Sequence, residues 1–220
     1  MSSSSRDSPG KAGSSLDQRG APSGSGSAAV FVDRDGVINE LVPDLVSGRP
    51  ESPLRVGDVR LIGGAAAALH RLSGAGWRLV GVSNQPSAAK GVLALAELHA
   101  IQARVVELLA AEGVHFDDFR LCLHHPEGVV PELAVDCGCR KPAPGMLLAA
   151  ACELGIDLGR SWMVGDTDGD VRAGRSAGCR TILVEHPDSA HKRTAGLHSD
   201  AVASDLTAAA GIILATKGVD

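Results

Sequence analysis

The sequence predicts an α/β fold: a doubly wound parallel sheet held between helices in three layers. Three observations carry this expectation. Short apolar runs recur along the chain, separated by Ala- and Leu-rich stretches of helical length, and strands alternating with helices imply parallel pairing through crossovers. The runs are nearly all apolar, as strands buried on both faces are. Several end abruptly in polar groups, at 33–35, 83–85 and 166–170, and open α/β sheets bind ligands at the carboxyl ends of their strands.

The elements follow in order. Residues 1–28 are Ser, Gly, Pro and charge with almost nothing to bury, so a disordered tail is expected ahead of one domain spanning 29–216. Strands are expected at 29–33, 78–83, 119–123, 161–165, 180–184 and 201–203. Helices are expected at 64–74, 94–112, 144–154, 169–177 and 205–215. Pro144 suits the first turn of a helix. Gly113 suits the end of the helix before it, and Ser204 is a candidate cap for the last. Residues 41–58, with three prolines and two glycines, read as an irregular excursion over the strand ends.

Composition narrows the classes. A chain of 220 residues is long enough to bury a substantial core in one domain. Its 44% hydrophobic and 21% charged residues are those of a globular protein. A net charge of −5 argues against a nucleic-acid binder that relies on a basic surface. No apolar run is long enough to span a bilayer, and the first residues lack the apolar core of a secretory signal. A cytoplasmic monomer, with neither nucleic acid nor membrane as partner, is the expectation. With no Tyr and only 2% aromatic residues, the core must be built from Ala, Val, Leu and Ile.

The chemistry sits at the strand ends. The run Ala29-Val30-Phe31-Val32 finishes in Asp33-Arg34-Asp35-Gly36. Alternation places Asp33 and Asp35 on one side of an extended chain, and two carboxylates so close repel unless a cation lies between them. All-oxygen ligation suits Mg²⁺. The plainer alternative is a strand end followed by a solvated Asp-Gly turn. A second strand finishes in Ser83-Asn84-Gln85, whose hydroxyl is a candidate donor to a phosphoryl oxygen. Arg140-Lys141-Pro142 supplies adjacent cations, or simply a solvated basic pair. A further strand finishes in Gly165-Asp166-Thr167-Asp168-Gly169-Asp170. Asp166 is a candidate to complete the metal site, and Asp170 to cap or brace the loop.

Five cysteines occur: Cys122, Cys137, Cys139, Cys152 and Cys179. Cys122-Leu123-His124 and Cys137-Gly138-Cys139 bracket a segment rich in Pro, Gly and acid. Three thiolates and an imidazole form a closed tetrahedral zinc site of the structural type, which would order a loop too poor in apolar residues to order itself. The alternatives are a disulfide, disfavoured in a reducing compartment, or unrelated buried thiols. Cys152 and Cys179 read as small core residues.

The order Asp-x-Asp-Gly, Ser-Asn-Gln, Lys-Pro, Gly-Asp-x-x-x-Asp resembles the haloacid dehalogenase (HAD) superfamily over residues 29 to about 185. The resemblance implies a HAD-like Rossmannoid fold and a Mg²⁺-dependent phosphatase. Asp33 would be the nucleophile that forms a phosphoaspartate, and Asp35 the general acid and base. Mg²⁺ would be held by the carboxylates of Asp33 and Asp166 and the carbonyl of Asp35. Ser83 and Lys141 would neutralise the transferring group. Cys-x-His followed by Cys-x-Cys-Arg-Lys-Pro is similar to the zinc-containing branch without a large cap domain, and that resemblance favours His124 over His125 as the fourth ligand.

This branch includes the heptose bisphosphate phosphatases and the phosphatase domain of histidinol-phosphate enzymes. Asp-Arg-Asp-Gly-Val-Ile-Asn at 33–39 is nearer the heptose type. The implied substrate is a small sugar bisphosphate, D-glycero-D-manno-heptose 1,7-bisphosphate losing its 7-phosphate, with histidinol phosphate or another small phosphate ester as the alternative. Asn84, Gln85, Pro86 and Arg140 are the implied substrate contacts. Thr167, and the run Pro86 to Gly91, depart from the heptose pattern in positions that bear on substrate choice. A receiver-type signalling module also carries acids, a hydroxyl and a Lys at strand ends. Its phosphorylated Asp lies on a later strand, however, and the corresponding strand here ends near Cys122 and His124.

Overall fold

A computed structural model describes Met1 and residues 26–44, 48–194 and 197–216. The core is a six-stranded sheet of β1 (Ala29–Val32), β4 (Arg78–Asn84), β5 (Asp118–Cys122), β6 (Trp162–Gly165), β7 (Arg180–Val184) and β8 (Ala201–Ala203). Their order is β5-β4-β1-β6-β7-β8, every pair parallel. A short antiparallel hairpin joins β2 (Val42–Pro43) to β3 (Pro50–Glu51). The helices are α1 (Ala65–Gly74), α2 (Leu95–Ala111), α3 (Gly145–Leu154), α4 (Asp168–Ala177) and α5 (Leu206–Thr216).

The strand alternation sorts the core into two layers. Val30 and Val32 face a cluster with Leu69 and Leu72 of α1, Ile101 and Val105 of α2, and Ala209 and Ile213 of α5. Ala29 and Phe31 point the other way, into a cluster with Met146, Leu147 and Ala150 of α3 and Ala173 of α4. With both faces covered, β1 is wholly buried, which is why it reads as an unbroken apolar run. The chain leaves β1 towards β4 and β5 and returns to the other side of β1 as β6. The carboxyl ends of β1, β4 and β6 therefore meet where the winding reverses, the place where such sheets hold ligands.

The expected elements form within a residue or two of their predicted bounds. Three details differ. Residues 26–28, expected in the tail, are tied to the domain: the Ser27 N–H donates to Gly155 O at the end of α3 at 3.1 Å, and the Arg78 N–H of β4 donates to Ala28 O at 3.1 Å. Residues 2–25 lie outside the described residues. Asp205, not Ser204, caps α5: its Oδ1 accepts from the Ala208 N–H at 2.8 Å, while the Ser204 hydroxyl donates to Asp205 Oδ2. A carboxylate one residue nearer the helix reaches the free N–H groups better. The 41–58 excursion contains the β2–β3 hairpin and a short 3₁₀ turn over Val56–Asp58. No larger cap is inserted among the described residues, and no described helix is long and apolar enough to cross a membrane.

Candidate active site

Asp33 continues β1 by one residue, its N–H donating to Val164 O of β6 at 2.9 Å. This bond sets the end of β1 beside the end of β6, and so beside Asp166. Gly36 then turns the chain with φ +82°, and a Cβ there would collide with the Asp166 carboxylate. Only glycine permits both the backbone conformation and the approach. The carboxylate oxygens of Asp33, Asp166 and Asp170 lie within 4.8 Å of one another, all three residues buried.

Lys141 is the cation of this cluster. Its Nζ lies 2.9 Å from Asp33 Oδ1 and 2.6 Å from Asp170 Oδ1 and donates to Val82 O at 2.7 Å. Burial disfavours its charge, but Asp170 and Asp33 outweigh that and raise its pKa above the ordinary value. Asp170 also braces the loop: its Oδ2 accepts from the Thr167 N–H at 3.0 Å and the Thr167 hydroxyl at 2.6 Å. Thr167 thus faces its own helix start.

Three carboxylates against one ammonium leave the cluster two negative charges in excess. Burial, with Asp170 as the next cause, raises the pKa of Asp33 to about 6 despite Lys141. Burial, then the charges of Asp33 and Asp170, pushes Asp166 well above the usual carboxylate range. Asp166 Oδ1 is buried with no hydrogen-bond partner among the described residues. A divalent cation would satisfy the orphaned oxygen and balance the charge, and an all-oxygen donor set fits Mg²⁺.

Asp35 is arranged differently. Its carboxylate lies outside that group of three and accepts from Arg34 Nε at 3.1 Å and Arg34 Nη2 at 2.9 Å. Asn39 Nδ2 at 2.9 Å, the Ser52 hydroxyl at 2.9 Å and Gln85 Nε2 at 2.6 Å complete its partners. Burial raises its pKa, but the Arg34 charge and these hydrogen bonds prevail and hold it below the ordinary value. Arg34 is fully buried and held by Gln102 of α2 at 3.0 Å. Simple alternation would point it away from both acids, so nothing in the local pattern marks its role.

These residues open onto a cavity of about 980 Å³ lined by Asp33, Asp35, Ser83, Asn84, Pro86, Arg140, Lys141 and Asp166, and also by Ser52, Thr167, Lys90 and Lys192. Two of the expected substrate contacts are differently engaged. Gln85 is buried, is absent from the cavity lining, and donates to Asp35 and to the Ser83 hydroxyl. Asn84 reaches the cavity wall, but its amide is bonded to the Lys141 backbone. Gln85 is taken up by Asp35 after β1, and Asn84 by the loop that carries Lys141 ahead of α3. Lys90 and Arg140 both line this cavity, and burial, then the charges of Lys90 and Arg140, lowers the pKa of His125.

The second cluster lies where β5 ends. Cys122 Sγ is 3.6 Å from Cys137 Sγ and 3.3 Å from Cys139 Sγ. Cys137 and Cys139 are 3.2 Å apart, and His124 Nδ1 is 3.3 Å from Cys139 Sγ. Zn–S bonds of about 2.3 Å span a tetrahedron with edges of roughly 3.7 Å, so the four atoms are spaced to surround one ion. All five cysteines are free thiols, which excludes the disulfide alternative in this structure. His125 instead accepts from the Glu127 N–H. Cys179 is buried in the core as expected, but Cys152 is exposed.

A parallel sheet with a carboxylate cluster, a buried Lys and an acid after β1 at its switch point defines a HAD-type phosphatase. The HAD-hydrolase-like family model matches residues 138–209. The D-glycero-D-manno-heptose-1,7-bisphosphate 7-phosphatase of Thermosynechococcus vestitus is 43% identical over 71% of this chain and 78% of its own length. The D-glycero-beta-D-manno-heptose-1,7-bisphosphate 7-phosphatase of Rhodopseudomonas palustris is 37% identical over 73% of this chain and 84% of its own. The crystal structure of the D,D-heptose 1,7-bisphosphate phosphatase from B. bronchiseptica, complexed with magnesium and phosphate, superposes with a TM-score of 0.72. It is 29% identical and is covered over 99% of its length, against 86% of this chain. The chain belongs to the heptose-bisphosphate phosphatase family of HAD-type hydrolases.

Proposed function

We propose that this protein removes the 7-phosphate of D-glycero-D-manno-heptose 1,7-bisphosphate through a phosphoaspartate on Asp33. The observation that carries this reading is one cavity that holds both the Asp33–Asp166–Lys141 cluster and a second cationic corner, Lys90 and Arg140. Two anionic groups on one substrate would each meet a cation. The relatives' names supply the sugar.

In the first step an Asp33 carboxylate oxygen forms a bond to phosphorus as the bond from phosphorus to the sugar oxygen breaks. Asp35 gives its proton to the departing oxygen. A phosphate dianion beside Asp35 raises its proton affinity and offsets Arg34. In the second step Asp35, ionised again, takes a proton from the water that attacks the phosphoaspartate, and Asp33 and phosphate are released. Two displacements replace one harder one. Lys141 and Ser83 face the transferring oxygens, where positioned charge contributes most to phosphoryl transfer.

Mg²⁺ would be held by Asp33, Asp166 and the Asp35 carbonyl, and when bound it neutralises charge on the phosphoryl group and aligns it. Zinc would be held by Cys122, His124, Cys137 and Cys139. It would brace the loop that carries Arg140, whose Nη1 donates to His124 O at 3.4 Å.

The test is turnover on the 1,7-bisphosphate, heptose 7-phosphate and histidinol phosphate. The bisphosphate should be preferred, and Arg140→Ala should erase much of the preference over the monophosphate, since a guanidinium recognises phosphate by two hydrogen bonds. Equal rates on the two heptose phosphates would overturn the assigned substrate and leave the phosphatase chemistry standing.

A further inference from the structure

Asp35 has one hydrogen-bond partner that does not come from the body of the sheet. Arg34 and Asn39 flank it in the chain, and Gln85 follows β4. Ser52 instead follows the β2–β3 hairpin, and its hydroxyl donates to Asp35 Oδ2 at 2.9 Å. Of these four partners, only Ser52 lines the cavity together with Asp35. Oδ2 also accepts from Arg34 Nη2 and Gln85 Nε2, so Ser52 is the cavity-side partner of a carboxylate otherwise held from within the domain.

The preceding residue is itself anchored. Glu51 Oε2 is 2.6 Å from Lys192 Nζ, and Glu51 Oε1 is 3.7 Å from His191 Nε2. Glu51 and Lys192 both line the cavity. They belong to separate segments, one after β1 and one after β7, so their ion pair ties the two together at the cavity wall.

We propose that Ser52 is a positioning residue for the carboxyl group of Asp35, held in place by the Glu51–Lys192 ion pair. The proposal rests on the reading of Asp35 as the proton donor. As the bond from phosphorus to the sugar oxygen breaks, that oxygen takes the Asp35 proton. Without Ser52 the remaining bonds, from Arg34, Asn39 and Gln85, all come from residues outside the cavity lining, and a carboxyl group drawn towards them delivers the proton less often. Small displacements of a reacting group are costly.

A proton matters most when the departing group is a poor one. Single-turnover rates are compared on a sugar phosphate, whose alkoxide needs the proton, and on p-nitrophenyl phosphate, whose nitrophenolate does not. Ser52→Ala should slow the first by about tenfold, the scale of one charge-assisted hydrogen bond. The second should fall several-fold less, and KM should stay near that of the parent. Ser52→Thr, which keeps the hydroxyl, should restore the rate. Glu51→Gln should give a smaller loss of the same kind, recovered by the exchange Glu51→Lys with Lys192→Glu.

Equal losses on both substrates, or no loss, would overturn the role of Ser52. Asp35→Asn, measured alongside, separates the two ideas. Should it show no dependence on the leaving group, the reading of Asp35 fails and the proposal with it. Should it show that dependence while Ser52→Ala does not, only the positioning role fails.

Discussion

Asn84 holds Lys141 by its backbone: Asn84 Nδ2 donates to the Lys141 carbonyl at 2.9 Å, and Asn84 Oδ1 accepts the Lys141 N–H at 3.0 Å. The lysine's ammonium is then placed against Asp33, Asp170 and the Val82 carbonyl. Asn84→Ala removes both bonds and should cost about 1–3 kcal/mol of stability, with kcat falling at least tenfold as Lys141 drifts. Asn84→Asp keeps the acceptor and should lose less stability. Urea unfolding and kcat measured on the same samples check both expectations.

Asp33→Asn should abolish turnover while the fold persists, because the amide is nearly isosteric but a poor nucleophile. Asp35→Asn should be severely impaired, since leaving-group protonation and water activation both fail. Near-normal phosphate release by Asp33→Asn would remove the nucleophile assignment.

The acid cluster makes stability depend on pH and on divalent metal. Asp33, with its pKa raised from 3.8 to about 6, binds its proton more tightly folded than unfolded. Its contribution to stability is thus fully present below about pH 4 and lost as pH rises through about 6. In metal-free buffer the parent should lose stability across that window relative to Asp33→Asn. Mg²⁺ at pH 7 should stop this loss and raise the melting temperature, by about 2.7 kcal/mol of stabilisation at one hundred times Kd. Removal of Mg²⁺ by a chelator should stop activity reversibly. Identical pH profiles for parent and variant would count against the cluster.

The thiol cluster should hold about one zinc per chain. Burial raises the Cys137 pKa, but hydrogen bonds from the neighbouring thiols and backbone outweigh it and lower it to about 7, so a thiolate is at hand for a metal near neutrality. Cys137→Ser should lose the ion and expose the segment 122–139 to protease while the sheet stays folded. Activity should fall through displacement of Arg140 and Lys141, which directly follow Cys139. Metal analysis that finds no zinc in the purified protein would defeat the assignment.

The strands and helices were legible because their apolar runs and caps act over a few residues. The acids at the ends of β1 and β6 were legible for the same reason: carboxylates have no packing role at the end of a buried run. The cysteines were legible from spacing, which brought Cys122, His124, Cys137 and Cys139 together as expected. Ser52 was not, because the 41–58 excursion has no periodic pattern from which to infer where its side chains point. The resemblance implies substrate contacts for Asn84 and Gln85, but it does not reveal that partners within the protein already occupy both amides. Arg34 was hidden between two acids, where its wrap onto Asp35 depends on the turn at Gly36.

The sequence by itself determined the kind of sheet, the class of chemistry at its edge and the two sets of candidate metal ligands. Each is a property of residue type and short spacing. Only the tertiary structure decided which acids share a cation and which stand apart. The order β4-β1-β6 brings Asp166 and Asp170 to Asp33 and Lys141, while Arg34 and Gln85 draw Asp35 out of that group. Burial and strand order set these pairings between residues far apart in the chain, and a one-dimensional pattern carries no record of which distant group is nearest.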